Sequence, residues 1–155
     1  RSSVKATIAG QILSMEYLKK IREDASVAYT VGAGSSVSRD DFGTNAYIFV
    51  QCPMKPEKGD IACQIMRDEV NNMTKTSDAD KLQKVKEYLL KNLGDQRKQN
   101  SYWLGRINTW RKYGMDFDTD YEKVVNAQTT ESISAFVAEL LKAGNAAEVI
   151  MMPAE

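Results

Sequence analysis

The stretch Tyr17-Leu-Lys-Lys-Ile-Arg-Glu-Asp-Ala-Ser-Val-Ala-Tyr29-Thr-Val-Gly-Ala-Gly-Ser-Ser36 decides how this chain folds. Its first half closes an apolar stripe that begins upstream. Ile8, Ile12, Leu13, Met15, Leu18 and Ile21 recur at helical spacing over residues 4–23, with Gly10 as an interruption. Its second half changes period. From Ser26 to Gly34, Val27, Tyr29, Val31 and Ala33 alternate as on one side of a strand. Helix, turn and strand therefore follow directly. Arg22 falls at the helix end and Tyr29 on the strand. A guanidinium and a phenol on two rigid elements can both donate hydrogen bonds to one carbonyl oxygen.

Working outward, Ser35 to Gly43 is small, polar and charged and reads as a hairpin loop. Asn45 to Cys52 is a strong strand signal that Pro53 ends. The two strands should pair antiparallel. Pro56 suits the first turn of a helix, on which Ile61, Ile65, Val70 and Met73 follow. After a break at Thr74 to Ser77, a long helix spans about Asp78 to Gln99 with Leu82, Val85, Leu89 and Leu93 on one face. Tyr102, Trp103, Ile107, Trp110 and Tyr113 mark another helix, stopped at Gly114, and their spacing predicts core packing. Tyr121 to Ala127 reads as a short helix. Thr129 or Thr130 caps the last one, whose buried face is Ile133, Phe136, Val137, Leu140 and Leu141, and Gly144 stops it. Glu148-Val-Ile-Met-Met152 reads as a last strand ended by Pro153.

This order is α+β: a small, mostly antiparallel sheet with helices packed on one face. No linker, repeat or low-complexity tract divides the 155 residues, so residues 1–155 read as a single domain. The first helix precedes any strand, so the reading is of a partial domain whose remaining strands lie upstream of Arg1.

Composition excludes several classes. Lys plus Arg equals Asp plus Glu at 21 each, which argues against nucleic acid as a partner. No apolar run approaches the roughly 20 residues of a membrane span. The chain has no histidine, the commonest catalytic base and metal ligand. Cys52 and Cys63 match no zinc spacing and read as buried thiols. Asp116-Phe-Asp-Thr-Asp120 has alternating carboxylates, but Tyr121 and Ala127 stand where an EF-hand loop needs Gly and Glu. A turn followed by a helix cap at Asp118 or Asp120 is the expectation there. Gly32-Ala-Gly34 follows a strand and precedes a loop, so it reads as a place of close backbone approach and not as a phosphate loop.

The stretch "Leu-Lys-Lys-Ile-Arg-Glu-Asp-Ala-Ser-Val-Ala-Tyr-Thr-Val" resembles the pitrilysin/insulinase-type zinc metallopeptidases, in which a helix ending in Leu-Arg-Glu is soon followed by a strand tyrosine. Tyr113-Gly-Met-Asp, "Gln-Thr-Thr-Glu-Ser-Ile-Ser-Ala-Phe-Val" and "Val-Ile-Met-Met-Pro" are similar to the closing part of a domain of that family. The resemblance implies a truncated pitrilysin-like metallohydrolase unit from the C-terminal, non-zinc half of a larger peptidase. It implies that Arg22 and Tyr29 bind the substrate backbone and stabilise an oxyanion. It implies that zinc is the cofactor of the parent enzyme, bound by another domain, with no metal site and no catalytic residue in this chain. This chain by itself should then be inactive. The partners implied are a peptide substrate and a zinc-bearing N-terminal half, in the same protein or in a partner subunit. The alternative is a non-catalytic structural or assembly subunit of the same superfamily. The cysteines do not fix the compartment; for a soluble peptidase of this kind the expectation is the bacterial periplasm or cell envelope.

Overall fold

The computed structural model describes residues 2–40 and 43–151. Helix α1 spans Ser2–Tyr17 and runs on without a break into a π-helical segment, Leu18–Asp24. Strands β1, Gly32–Asp40, and β2, Gly43–Gln51, form an antiparallel two-stranded sheet. A 3-10 turn at Pro56–Lys58 leads into α2, Gly59–Met73. Four helices follow: α3 Ala79–Gln96, α4 Asn100–Tyr113, α5 Tyr121–Asn126 and α6 Thr130–Lys142. The class is α+β, as the sequence indicates.

The helix ends follow local chemistry. Asp78 accepts a hydrogen bond from the Lys81 amide at the start of α3. Thr129 and Ser132 form a reciprocal capping box on α6. Gly114 and Gly144 hold φ of +64° and +73°, the left-handed region that glycine enters freely at helix ends.

The core is built around α1. Val4, Ile8, Ile12, Leu13 and Tyr17 are buried, and α1 touches both strands on one side and α2, α3 and α6 on the other. A helix covered on several sides must be apolar on more than one stripe, which explains why Ala6, Ala9 and Gly10 are buried beside the larger residues. Ile21, Val27, Val31, Met73, Leu82, Val85, Leu89, Val125, Ile133 and Val137 belong to the same cluster. The Tyr17 hydroxyl donates to the Met66 carbonyl of α2 at 3.0 Å. Burial, and secondarily the charge of Glu69, pushes that phenol well above its usual range.

Gly10 sets the distance between α1 and the sheet, and Gly34 makes room for a ring across the ladder. A Cβ on Gly10 would lie 3.1 Å from the carbonyl carbon of Gly34. Gly34 pairs with Phe49 across the ladder, and a Cβ there would sit 2.6 Å from the Phe49 ring. Close approach is thus what the glycines supply.

The structure differs from the sequence reading at α4, whose aromatic stripe is exposed, and in five other places. Pairing starts at Gly32, not at Ser26. Gly32 faces Gln51, and Pro53 just beyond has no N–H with which to extend the ladder, so residues 26–31 have no strand partner. The expected loop from Ser35 is instead β1; Asp41 and Phe42 lie outside the described residues. Serines and glycines have poor strand propensity, but pairing with β2 and the tight contact with α1 select small side chains.

The other three differences lie among the helices and at the end of the chain. The buried side of α2 carries Ala62, Cys63, Glu69 and Met73, while Ile61 is exposed. Glu69 is stabilised there by Lys20 and by the Asn72 amide at 3.2 Å. Asp120 stands at the cap position of α5 but its side chain makes no cap bond, and the Asp118 carboxylate is taken by Arg97 and Tyr102. Residues 148–151 form no ladder; Met152 and Pro153 lie outside the described residues. An extended apolar run becomes a strand only beside a sheet edge, and Glu148 is tied to a helix instead, through Arg67 at 2.6 Å.

Candidate functional site

The chain leaves α1 through an unusual connection. Leu18–Asp24 is π-helical, a geometry that is rare and concentrated at functional sites. Ile21 is buried beneath it, and Arg22 on the following position is exposed. The Ala25 amide closes the last π turn on the Lys20 carbonyl at 3.1 Å, and the Val27 amide reaches the Ile21 carbonyl at 2.9 Å. Between them Ser26 has φ of +50°, the left-handed region that costs a residue with a Cβ about 1–3 kcal/mol when it is held there. No glycine or asparagine announces this reversal in the sequence.

Beyond Ser26 the backbone bends at Tyr29. Val27 and Val31 are buried on either side, and Tyr29 is 82% exposed. The regular alternation expected of a strand would have buried all three together. The bend turns the ring outward, where the Arg22 guanidinium lies 4.9 Å from its centroid. The structure brings together the two residues that the sequence reading paired. That reading placed Tyr29 in a strand, whereas the ring stands on an anchored but unpaired segment.

Tyr29 also flanks an open groove of about 480 Å³. Val27, Ala28, Pro53 and Met54 supply apolar wall, and Lys55, Glu57 and Lys58 supply charge. Sequence reasoning missed these residues, since only tertiary contact sets the turn between β2 and α2 against the segment after Ser26. On the sheet nearby, Tyr47 and Phe49 are both exposed, 6.2 Å apart. A second cleft, of about 360 Å³, lies between α1, α2 and the turn before α3. Most of its charges are paired: Glu16 with Lys81 at 2.6 Å, Asp78 with the same lysine at 3.4 Å, and Lys20 with Glu69 at 2.5 Å.

The donor set does not suit zinc. The chain has no histidine, and among the described residues no three Cys, Asp or Glu side chains gather as a metal site requires. Cys52 and Cys63 are both free, and Cys63 is buried. Burial raises the Cys52 thiol, the opposite of what activates a nucleophile. Two carboxylates of the Asp116–Asp120 loop are engaged by the protein itself. Asp116 accepts from the amides of Asp118 and Thr119 and from the Thr119 hydroxyl, and Asp118 holds Arg97 at 3.0 and 3.1 Å.

No family model matches the chain, and no curated protein matches it. Among solved structures, the periplasmic protease PqqL from Escherichia coli superimposes with a TM-score of 0.72 at 18% identity, over 89% of this chain and 15% of that one. The chain shares its fold with part of a protease. It spans about 15% of the length of PqqL, so that protein's activity belongs to a molecule several times larger. Among the described residues no helix is long and apolar enough to cross a membrane.

Proposed function

We propose that this chain is a metal-free, substrate-binding domain of a pitrilysin-type peptidase. In this reading it belongs to the C-terminal half, closes the substrate chamber, and presents Arg22 and Tyr29 to a peptide carbonyl. The observation that carries the proposal is the outward-facing Arg22–Tyr29 pair on strained, anchored backbone. Ser26 holds an unfavourable φ, two buried valines fix the segment, and the two donors stand together on the surface. Strain of this kind persists where surrounding structure over-determines it, and it clusters at ligand-handling sites. The sequence resemblance and the fold shared with part of PqqL support the same reading.

The chemistry asked of the pair is modest. A carbonyl oxygen that gains negative charge during attack is stabilised by donors already in place, since they need no reorganisation. The Tyr29 hydroxyl supplies one neutral donor and Arg22 a charged fork. Their stacking limits the conformational freedom that binding would otherwise remove. The neighbouring groove gives the side chain next to that carbonyl an apolar wall. Zinc would be bound by another domain and the peptide bond cut there. The compartment would be that of PqqL, the periplasm.

The test uses the full-length protein that contains this chain. Tyr29→Phe and Arg22→Ala should each lower kcat for peptide hydrolysis by about 10²–10³-fold, the usual effect of removing one such donor. Both side chains are exposed, so the circular dichroism of the variants should match the parent. Turnover unchanged in both variants removes the role. A parent protein with no peptidase activity, alone or with its partner subunits, supports the assembly-subunit reading instead.

A further inference from the structure

Helix α4 is inside out. Trp103, Ile107 and Trp110 recur at i, i+4 and i+7, the spacing of a core stripe. Yet they are 41%, 53% and 62% exposed, Leu104 beside them is 62% exposed, and no residue of α4 is buried. The half-buried side instead carries Tyr102, Arg106, Thr109 and Tyr113. Polar contacts fix that orientation. Tyr102 donates to Asp118, Arg106 lies over the Tyr102 ring at 4.7 Å, and the Trp103 indole N–H donates to the Arg97 carbonyl at 2.8 Å. Arg97 in turn grips Asp118 and Glu122. The apolar face is therefore held outward by a network and is not a frayed end.

The charge on this helix is one-sided. Residues 100–113 contain Arg106, Arg111 and Lys112 and no Asp or Glu, in a chain whose net charge is zero. Arg111 is four residues from Ile107 and seven from Leu104, so it sits within the apolar face. It has no carboxylate partner among the described residues. Any surface that covers this face must also neutralise Arg111, because a cation buried without a partner is strongly unfavourable.

That requirement selects the occupant. A second copy of α4 would set cations against cations. The patch is also on the order of 400 Å², about half of the ~800 Å² per partner buried in a stable dimer. A lipid surface suits cations at the margins of an apolar stripe, where they can reach headgroups, not a cation within it. A protein helix can place a carboxylate against Arg111 and fill the spaces between Trp103, Ile107 and Trp110 with its own apolar residues. We propose that the outer face of α4 docks an acidic amphipathic helix, with Trp103, Ile107 and Trp110 as anchors and Arg111 as its ionic partner. This docking is independent of Arg22 and Tyr29.

The two tryptophans of the chain are both on this face, so their emission reports on it directly. The full chain is titrated with two synthetic helices of about five turns that share one leucine stripe. One carries Glu along the stripe and the other carries Lys. The acidic helix should shift tryptophan emission to the blue with saturable, salt-sensitive binding, and the basic helix should not. Arg111→Glu removes an exposed, unpaired cation and should weaken the acidic helix by about tenfold or more while leaving the circular dichroism unchanged. Equal responses to both helices, or no effect of Arg111→Glu, overturn the proposal. So does a blue shift with phosphatidylglycerol vesicles when the acidic helix is silent, or one produced by raising the protein concentration alone.

Discussion

Gly10 offers the sharpest test of how α1 meets the sheet. Valine at this position gains only about 0.3 kcal/mol of helix propensity, since glycine costs about 0.8–1 kcal/mol and β-branched valine up to about 0.7 kcal/mol relative to alanine. That gain is opposed by contact. The new Cβ would lie 3.1 Å from the Gly34 carbonyl carbon, 3.3 Å from its oxygen and 3.4 Å from the Ser35 Cβ, and two further methyls must follow. The obstruction is backbone of β1, which cannot rotate aside as a side chain can. Overpacking of this sort costs about 1–3 kcal/mol. The net expectation for Gly10→Val is a loss of about 2 kcal/mol, which lowers Tm by roughly 4–8 °C in a chain of this size. Gly34→Ala is the informative contrast. Its Cβ comes nearer to a neighbour, 2.6 Å, but that neighbour is the ring end of Phe49, which is 45% exposed and can swing into solvent. Its cost should stay within about 1 kcal/mol. Thermal melts and urea titrations of the two variants measure both values. A Gly10→Val melting point equal to the parent's, or a larger loss in Gly34→Ala, would refute the claim that backbone contact sets this spacing.

Two further expectations concern local chemistry. Thr129→Ala removes half of the capping box at α6, where the Thr129 hydroxyl accepts from the Ser132 amide at 3.2 Å, and should cost about 1 kcal/mol by denaturant titration; a change below the error of that titration would mean that the box adds nothing. Hydrogen bonds from Thr119 and from backbone amides hold the Asp116 carboxyl down to about 2, and the Arg97 guanidinium lowers Asp118. Depressed carboxylates stabilise the fold above their unfolded value, about 3.9, and lose that contribution as pH falls through their folded values. Stability should therefore drop between pH 4 and 2 with a steeper slope in the parent than in Asp116→Asn, and identical slopes would disprove the link.

Elements that depend on neighbours in sequence were legible in the residues. The helices from Pro56 to Lys142 follow from apolar spacing, a cap at Thr129 or Thr130 and two stop glycines, all of which act within a turn of where they stand. The α+β class and the β2 strand were equally plain. For Arg22 and Tyr29, what the sequence could supply was their spacing and a resemblance.

Tertiary structure decided which way those residues face. Whether Ser35 begins a loop or sits in a strand depended on a partner strand and on α1 pressing at Gly34. Whether Tyr29 is core or surface depended on Pro53, more than twenty positions away in the chain, which stops the ladder and frees the backbone to bend. The stripe on α4 has the period of a buried face, yet a network through Arg97, Tyr102 and Asp118 turns it to solvent. Periodicity states that residues share a face. It carries no information about what lies opposite, because burial is a property of two surfaces and the sequence of one helix describes only one.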